Sequence, residues 1–423
     1  MKRTFPIVLA LVMLLAAACQ KGAPVRAAQP PAQPDAPPAI ITIDLGYHST
    51  DAFRPLIDQL IAAFEKRFPE YRINKVELPP RGPGQQAEID KGLRSGAYDI
   101  IRGAFDRQLL EPLDPYLTRS MPALTRVAES SEHLRISGRL YGLPLWRVPE
   151  GFIINRELWA AGGLPLPESG WSWDDLRTAV ARLTHGDGEN RVWGLNTALH
   201  EFLFSTWLMQ KAGPKFWLAA EQDLREGLRF FMGLAGTDQS MPRPPQRDWG
   251  TGLVSMSERD LFRDKRAVIE YGGVHQILLM NERYPFAWDI LPMPARSGGR
   301  PVLRVRTVSY AMAASSDQKD AAWEFLRFAV GPEGAAIIAA SGALPTDGAG
   351  VTEEVWAAMQ PAPPAGMTHL LDTPWVSDGV YEGNASRLVN ELFRLTNLCL
   401  RGELDPDTAV TQYLEFRKRY VVE

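Results

Sequence analysis

Residue types that do covalent chemistry are thinly spread along this chain of 423 residues. It holds no P-loop, no HExxH, no CxxC and no G-x-S-x-G elbow. Ser316 and Lys319 stand at S-x-x-K spacing, but no Lys-Thr-Gly follows, and Ser316 precedes an amphipathic run, where a helix N-cap is expected. The six histidines, His48, His133, His185, His200, His275 and His369, lack ligand spacing, so neither a metal nor a cofactor is expected. The stretch 185–190 reads as a tight turn, without the alternating ligands and distal Glu of a calcium loop. No two carboxylates stand out as an acid and a base. The groups that do gather suit binding. Between Pro144 and Pro149 lie a large aromatic, Trp146, and a fixed cation, Arg147, and Glu150 follows. A proline cannot donate to a sheet ladder. This stretch therefore reads as an irregular crossing between a short strand ending at Pro144 and a second over 151–154, with side chains open to a gap between two lobes.

The elements around it are of α/β type. A strand over 40–45, a loop at Gly46 to Thr50 and a helix over 51–68 open the chain, and Phe53, Leu56, Ile57, Leu60, Ile61, Phe64 and Phe68 form one apolar stripe. A strand over 73–78 completes a parallel βαβ unit with a right-handed crossover. A third strand covers 98–102. After the crossing the chain becomes helix-rich: Ser172 with Asp175 caps a helix running to Leu183, and helices follow over 199–212 and 221–234. Strands are expected over 286–292 and 307–313, the latter a return crossing, with helices over 318–330, 378–400 and 406–418.

The length calls for two or three domains. The net charge of −4 argues against non-specific nucleic-acid binding. Lys2 and Arg3, an apolar run over 5–15 and Ala16-Ala17-Ala18 follow the order of a secretory signal. Cys19 after those small residues resembles the bacterial lipobox, whose Cys carries a diacyl anchor. Ala16 stands where Leu is usual. Six prolines over 20–39 make an extended tether. Only Cys399 remains after Cys19, so no internal disulfide forms, and Cys399 reads as packing.

Several motifs occur together in order: Leu140-Tyr141-Gly142-Leu143-Pro144, Asn155-Arg156-Glu157-Leu158, Ala161-Gly162-Gly163-Leu164-Pro165 and Trp173-Asp174-Asp175-Leu176. This set resembles the family 1 extracellular solute-binding proteins, the sugar-type receptors of bacterial ABC importers. The similarity continues through Tyr98-Asp99-Ile100, Glu111-Pro112-Leu113-Asp114, 261–273, Gly331-Pro332-Glu333-Gly334, Gly342-Ala343-Leu344-Pro345 and 402–406. Two departures stand out. Asp264 replaces a usual Gly, and Val274-His275 replaces a frequent Trp after Gly273.

The resemblance implies a two-lobed periplasmic-binding-protein fold of type II with three interlobe crossings. The division expected is a signal peptide at 1–18, a tether at 19–39, a first lobe from 40–145 plus 307–343, and a second from 146–306 plus 344–423. It implies a monomeric lipoprotein, anchored through Cys19 and facing the periplasm or cell exterior, that passes a captured carbohydrate to a membrane permease. A sugar needs aromatics over its C–H faces and polar groups for each hydroxyl. Loops after strand ends would supply Tyr47, His48, Ser49 and Phe105; the crossings, Trp146, Arg147, Glu150 and Tyr310; the second lobe, Tyr271, Gly272 and Gly273. Trp375 lies where the family places a late cleft aromatic. Arg102, Arg147, Arg304 and Arg306 near strand ends raise an acidic or phosphorylated sugar. Rival readings are a same-fold receptor for a polyamine, iron or a peptide, a sensor or assembly lipoprotein, and a hydrolase with paired carboxylates.

Overall fold

The computed structural model describes residues 40–49, 51, 53–80, 84–103, 106–120, 124–245, 261–275, 277–346, 349–360, 362–377 and 384–420. The leader, the tether with Cys19, and Phe105 lie outside them. Among the described residues no helix is long and apolar enough to cross a membrane.

The chain opens with β1 (Ile41–Tyr47), whose alternation buries Ile43 and Leu45. The helix Arg54–Arg67 follows, burying Leu56, Ile57, Leu60, Ile61 and Phe64. It returns the chain to β2 (Tyr71–Glu77), parallel to β1 along its whole length. On the other side of β1 lies β3 (Ile100–Arg102), also parallel. The buried Asp99 carboxylate accepts from Asp44 N at 2.7 Å and from Ser316 Oγ at 2.5 Å, which ties β1 to the far end of the chain's return. Ser316 is thus not the N-cap expected for it. The helix runs over Lys319–Val330 from a Gln318 cap, and Ser316 Oγ accepts from Gln318 N at 3.0 Å while donating to Asp99.

A hairpin of β4 (Arg135–Ile136) and β5 (Arg139–Leu140) turns through Ser137 and Gly138, at φ 50° and 79°. It leads into β6 (Leu143–Asn155), a single strand of 13 residues where two strands and an irregular crossing were expected. The two prolines are accommodated for identifiable reasons. Pro144 lies where the register against its neighbour slips, at a bulge, and Pro149 stands where β6 changes partners. Bulges and ladder ends are where a missing N–H does least harm.

The partners of β6 come from across the sequence. Its first half pairs antiparallel with β10 (Leu303–Met312), and its second half with β8 (Ala267–Gly273) and β9 (Trp288–Leu291). β7 (Trp193–Asn196) lies parallel to β8, and β12 (Trp375–Ser377) parallel to the start of β10. The short β11 (Leu344–Pro345) pairs with Arg147 and Trp146. One sheet in the order β2-β1-β3-β10-β6-β8-β7 results. Two large hydrophobic clusters sit on it. One holds Ile43, Leu60, Phe64, Trp146 and Phe325, the other Phe152, Trp173, Trp207, Tyr271 and Phe393.

Within the second cluster Ser172 and Asp175 form the expected capping box at the start of Trp173–Leu183. Cys399 is 1% exposed, and burial, helped by Asp405, pushes its thiol up to about 12, so it is inert packing. Gly194 on β7 lets that helix approach closely: a Cβ there would stand 2.0 Å from Val180 O. Gly194→Ala should therefore destabilise the fold by about 1–3 kcal/mol. Urea denaturation checks this, and an unchanged midpoint would contradict the contact.

Candidate functional site: a cleft of two joined chambers

The end of β3 meets the last residues of β10, with Arg102 opposite Tyr310, and β1 lies on the other side of β3. Two cavities open there, of about 380 Å³ and about 320 Å³, and Phe53, Arg102 and Gly103 line both. Each is of a size that holds a small ligand. Phe53 precedes the first turn of Arg54–Arg67, and its N–H donates to Asp51 Oδ1 at 2.9 Å. Asp51 also holds the Arg102 guanidinium, which lies 5.3 Å over the Phe53 ring. The divide between the chambers is therefore an ion pair capped by an aromatic face.

The larger chamber takes Val148 from β6, Arg306, Thr307, Val308 and Ser309 from β10, His275 just past β8, and Ser377 from β12. His133 enters from the segment before β4, with Nε2 2.9 Å from Thr307 Oγ1. Thr307 Oγ1 lies 3.2 Å from Ser309 Oγ, which leaves a row of hydroxyls along one wall. Leu134, Ile136 and Tyr141 supply an apolar side. Phe53 belongs to the first cluster, and its ring lies 5.6 Å from that of His275, which follows Val274 of the second.

The smaller chamber is lined by Tyr47, His48, Arg54, Gln85, Gln86 and Tyr310. Tyr47 OH donates to Asp58 at 3.2 Å, and Lys75 lies 5.1 Å over its ring. Burial and the Asp58 charge push its phenol up to about 12, so it is a neutral donor at neutral pH. Burial likewise raises Tyr310, whose ring is 6.4 Å from Trp146. His48 Nε2 meets Gln85 Nε2 at 3.2 Å, which orients both.

Beneath the larger chamber is a buried charge cluster. Glu150, fully buried, receives Arg304 Nη1 at 2.7 Å and Arg306 Nε at 3.3 Å. Tyr271 OH donates to Glu150 Oε2 at 3.3 Å and lies 2.7 Å from Thr206 Oγ1. Burial, then the Glu150 charge, hold the Tyr271 phenol well above its usual range. Gly273 pairs with Glu150 across the ladder. A Cβ on Gly273 would stand 2.9 Å from Arg306 Nη2 and 3.2 Å from His275 Nε2, so its bareness lets both reach the same spot.

Of the expected site residues, the structure brings Tyr47, His48 and Tyr310 to the chamber walls. Ser49 bonds instead to Glu77, through both its N–H and its hydroxyl at 3.1 Å. Trp146, expected to face the gap, is fully buried against Phe53 at 5.3 Å because the continuous strand turns it into the first cluster. Glu150 and Tyr271 lie below the floor for the same reason. Arg147 rests 5.3 Å over the Trp375 ring. Gly273 makes room rather than contact. Phe105 is outside the described residues. Sequence reading missed Phe53, His133, Thr307 and Ser309 as wall residues, and noted His275 only as a departure. Among the described residues no cluster of metal-ligating side chains occurs.

A two-lobed α/β body with a cleft at the sheet's change of partners is the architecture of proteins that capture solutes. The chain belongs to the family of bacterial extracellular solute-binding proteins, whose profile matches residues 59–365. That is a family of exported binding proteins. Comparison with curated proteins finds no match. Among solved structures, a sugar transporter from Rhizobium etli in an open conformation superposes with a TM-score of 0.71 at 18% identity, covering 90% of this chain and 100% of that one. A substrate-binding protein from Listeria monocytogenes in complex with cycloalternan gives 0.70 at 18%, covering 89% and 98%. One from Thermotoga lettingae bound with α-D-tagatose gives 0.68 at 15%, covering 90% and 100%. At these identities the likeness fixes the fold: a two-lobed solute-binding architecture.

Removing the carboxylate at the foot of the cleft would strip compensation from two guanidiniums, one of them 1% exposed. Glu150→Ala should cost about 3 kcal/mol or more of stability, because an unmatched buried charge is left behind. Chemical denaturation measures it. A loss below about 1 kcal/mol, the level of surface pairs, would show that the cluster is not what fastens β6 to β10.

Proposed function

We propose that this protein captures a carbohydrate in the double chamber and delivers it to the membrane permease of an ABC importer. The observation that carries the reading is the make-up of the walls. Two adjoining chambers combine aromatic and apolar faces with hydroxyl, amide and guanidinium groups. Aromatic and apolar faces suit sugar C–H surfaces, and the polar groups can pair hydroxyls. A site built this way discriminates, since a missing hydroxyl leaves its own polar groups unpaired. The sugars bound by the structural relatives support the same class of ligand.

In this reading the lobes are 40–145 plus 307–343 and 146–306 plus 344–423, and β6, β10 and β11 are the three strands between them. A ligand touching both lobes favours the closed arrangement only if it binds that arrangement more tightly, and a chamber lined by Phe53 and Thr307 of one and by His275 and Arg306 of the other supports that. The permease would then recognise the closed form. The protein acts as a monomer, with no catalytic step. Its net negative charge gives nucleic acid no broad basic surface. Cys19 carries the lipid anchor, and the proline-rich tether holds the body off the membrane.

A thermal-shift screen of the purified protein against mono- and oligosaccharides tests the ligand class. A bound sugar at 100 times its dissociation constant should add about 2.7 kcal/mol. A flat carbohydrate panel beside a shift with a polyamine or a peptide would overturn the carbohydrate reading and leave a same-fold receptor for another solute. For the anchor, Cys19→Ser should move the protein from the detergent-extracted membrane fraction to the soluble one. Unchanged membrane association would remove Cys19 from that role.

A further inference from the structure

We infer that the solute is an anionic carbohydrate, a sugar acid or sugar phosphate, whose charged group seats at Arg306 and His275 over Gly273. The inference rests on the carbohydrate reading and narrows it. It starts from a charge imbalance. The chain as a whole is net acidic, with 50 Asp and Glu against 46 Lys and Arg. Among the described residues, the walls of the larger chamber nevertheless carry Arg102, Arg306, His133 and His275, and no Asp or Glu. The smaller chamber adds Arg54 and His48 against one acid, Asp51, which already holds Arg102. A cleft for a neutral sugar is served by carboxylates, which accept from hydroxyls. Here the chamber's acceptors on β10 are the hydroxyls of Thr307 and Ser309, and its strong groups are donors.

Geometry points to the spot. Arg306 is held from behind by buried Glu150, 3.3 Å from its Nε, while 43% of its side chain stays exposed. Glu150 also serves Arg304, at 2.7 Å. The far end of Arg306 comes within 2.9 Å of the position a Gly273 Cβ would take, and His275 Nε2 within 3.2 Å of it. Two nitrogen groups from different elements thus converge over a bare backbone. A guanidinium fixed at one edge presents its other edge as a fork, the shape that carboxylate and phosphate oxygens match.

Isothermal titration of the purified protein with matched pairs tests this: glucose against glucuronate and glucose 6-phosphate, galactose against galacturonate, with inorganic phosphate as a separate arm. An anionic member should bind about tenfold or more tighter than its neutral partner, as a charge-assisted fork implies. Arg306→Gln and His275→Gln should each reduce that preference by about tenfold, with binding of the neutral member of each pair as the control for folding. Added salt should weaken the anionic member and leave the neutral one alone. Equal or tighter binding of the neutral sugar in every pair overturns the anion and leaves the carbohydrate reading standing. Inorganic phosphate binding as tightly as the sugar phosphate keeps the anion site and overturns the carbohydrate. A flat response in all arms overturns both. An undiminished preference in both variants overturns the assignment to these two side chains.

Discussion

A single buried carboxylate governs how this molecule is joined. Glu150 sits at the residue where β6 leaves β10 and takes up β8, and it is wholly removed from solvent. A lone charge there would be untenable, so cations must come to it. They arrive on Arg304 and Arg306 of β10, two residues apart and hence on one face of that strand. The cluster therefore fixes how β10 lies on β6, and through β10 it sets the wall of the larger chamber. Tyr271 closes the arrangement with its hydroxyl between Glu150 and Thr206, linking it to the helix His200–Ala212.

Much of the fold was legible because it is written in local patterns. The stripe from Leu56 to Phe64, the Ser172–Asp175 box and the Pro406 helix start each need only neighbours in sequence. The join between the clusters was not. Pro144 and Pro149 are honest signals of interrupted pairing, yet β6 runs on through both, because one falls at a bulge and the other at a change of partner. No local rule reveals that a ladder will be handed from one strand to another. Misreading the join turned three side chains the wrong way: Trp146, Glu150 and Tyr271 were expected on the cleft wall and lie beneath it.

The wall residues that went unread share one property. His133 and Thr307 touch across a separation of 174 residues, and His275 meets Phe53 across a still longer one. Each carries an ordinary local reading as well. Phe53 belongs to a helical stripe, and Thr307 and Ser309 are residues of a strand. Only the pairing of β10 with both β3 and β6 places them around one space. Tyr47 and His48, which do line a chamber, lie at the C-terminal end of a parallel strand, where α/β sheets open their clefts.

The contact between Phe53 and His275 shows why such a cleft can respond to what fills it. Phe53 belongs to the first cluster and His275 follows Val274 of the second, and the two rings meet in the wall of the larger chamber. One aromatic contact is worth about 0.5–1.5 kcal/mol beyond its buried area, too little to lock two rigid bodies together. The buried Glu150 cluster is different in kind, since separating its members would expose or strand charge. The buried ion-pair cluster is thus the stronger of the two contacts and the ring contact in the chamber wall the weaker. A solute bridging Phe53, Arg306 and His275 would add its free energy at the weaker one, where a small contribution matters most.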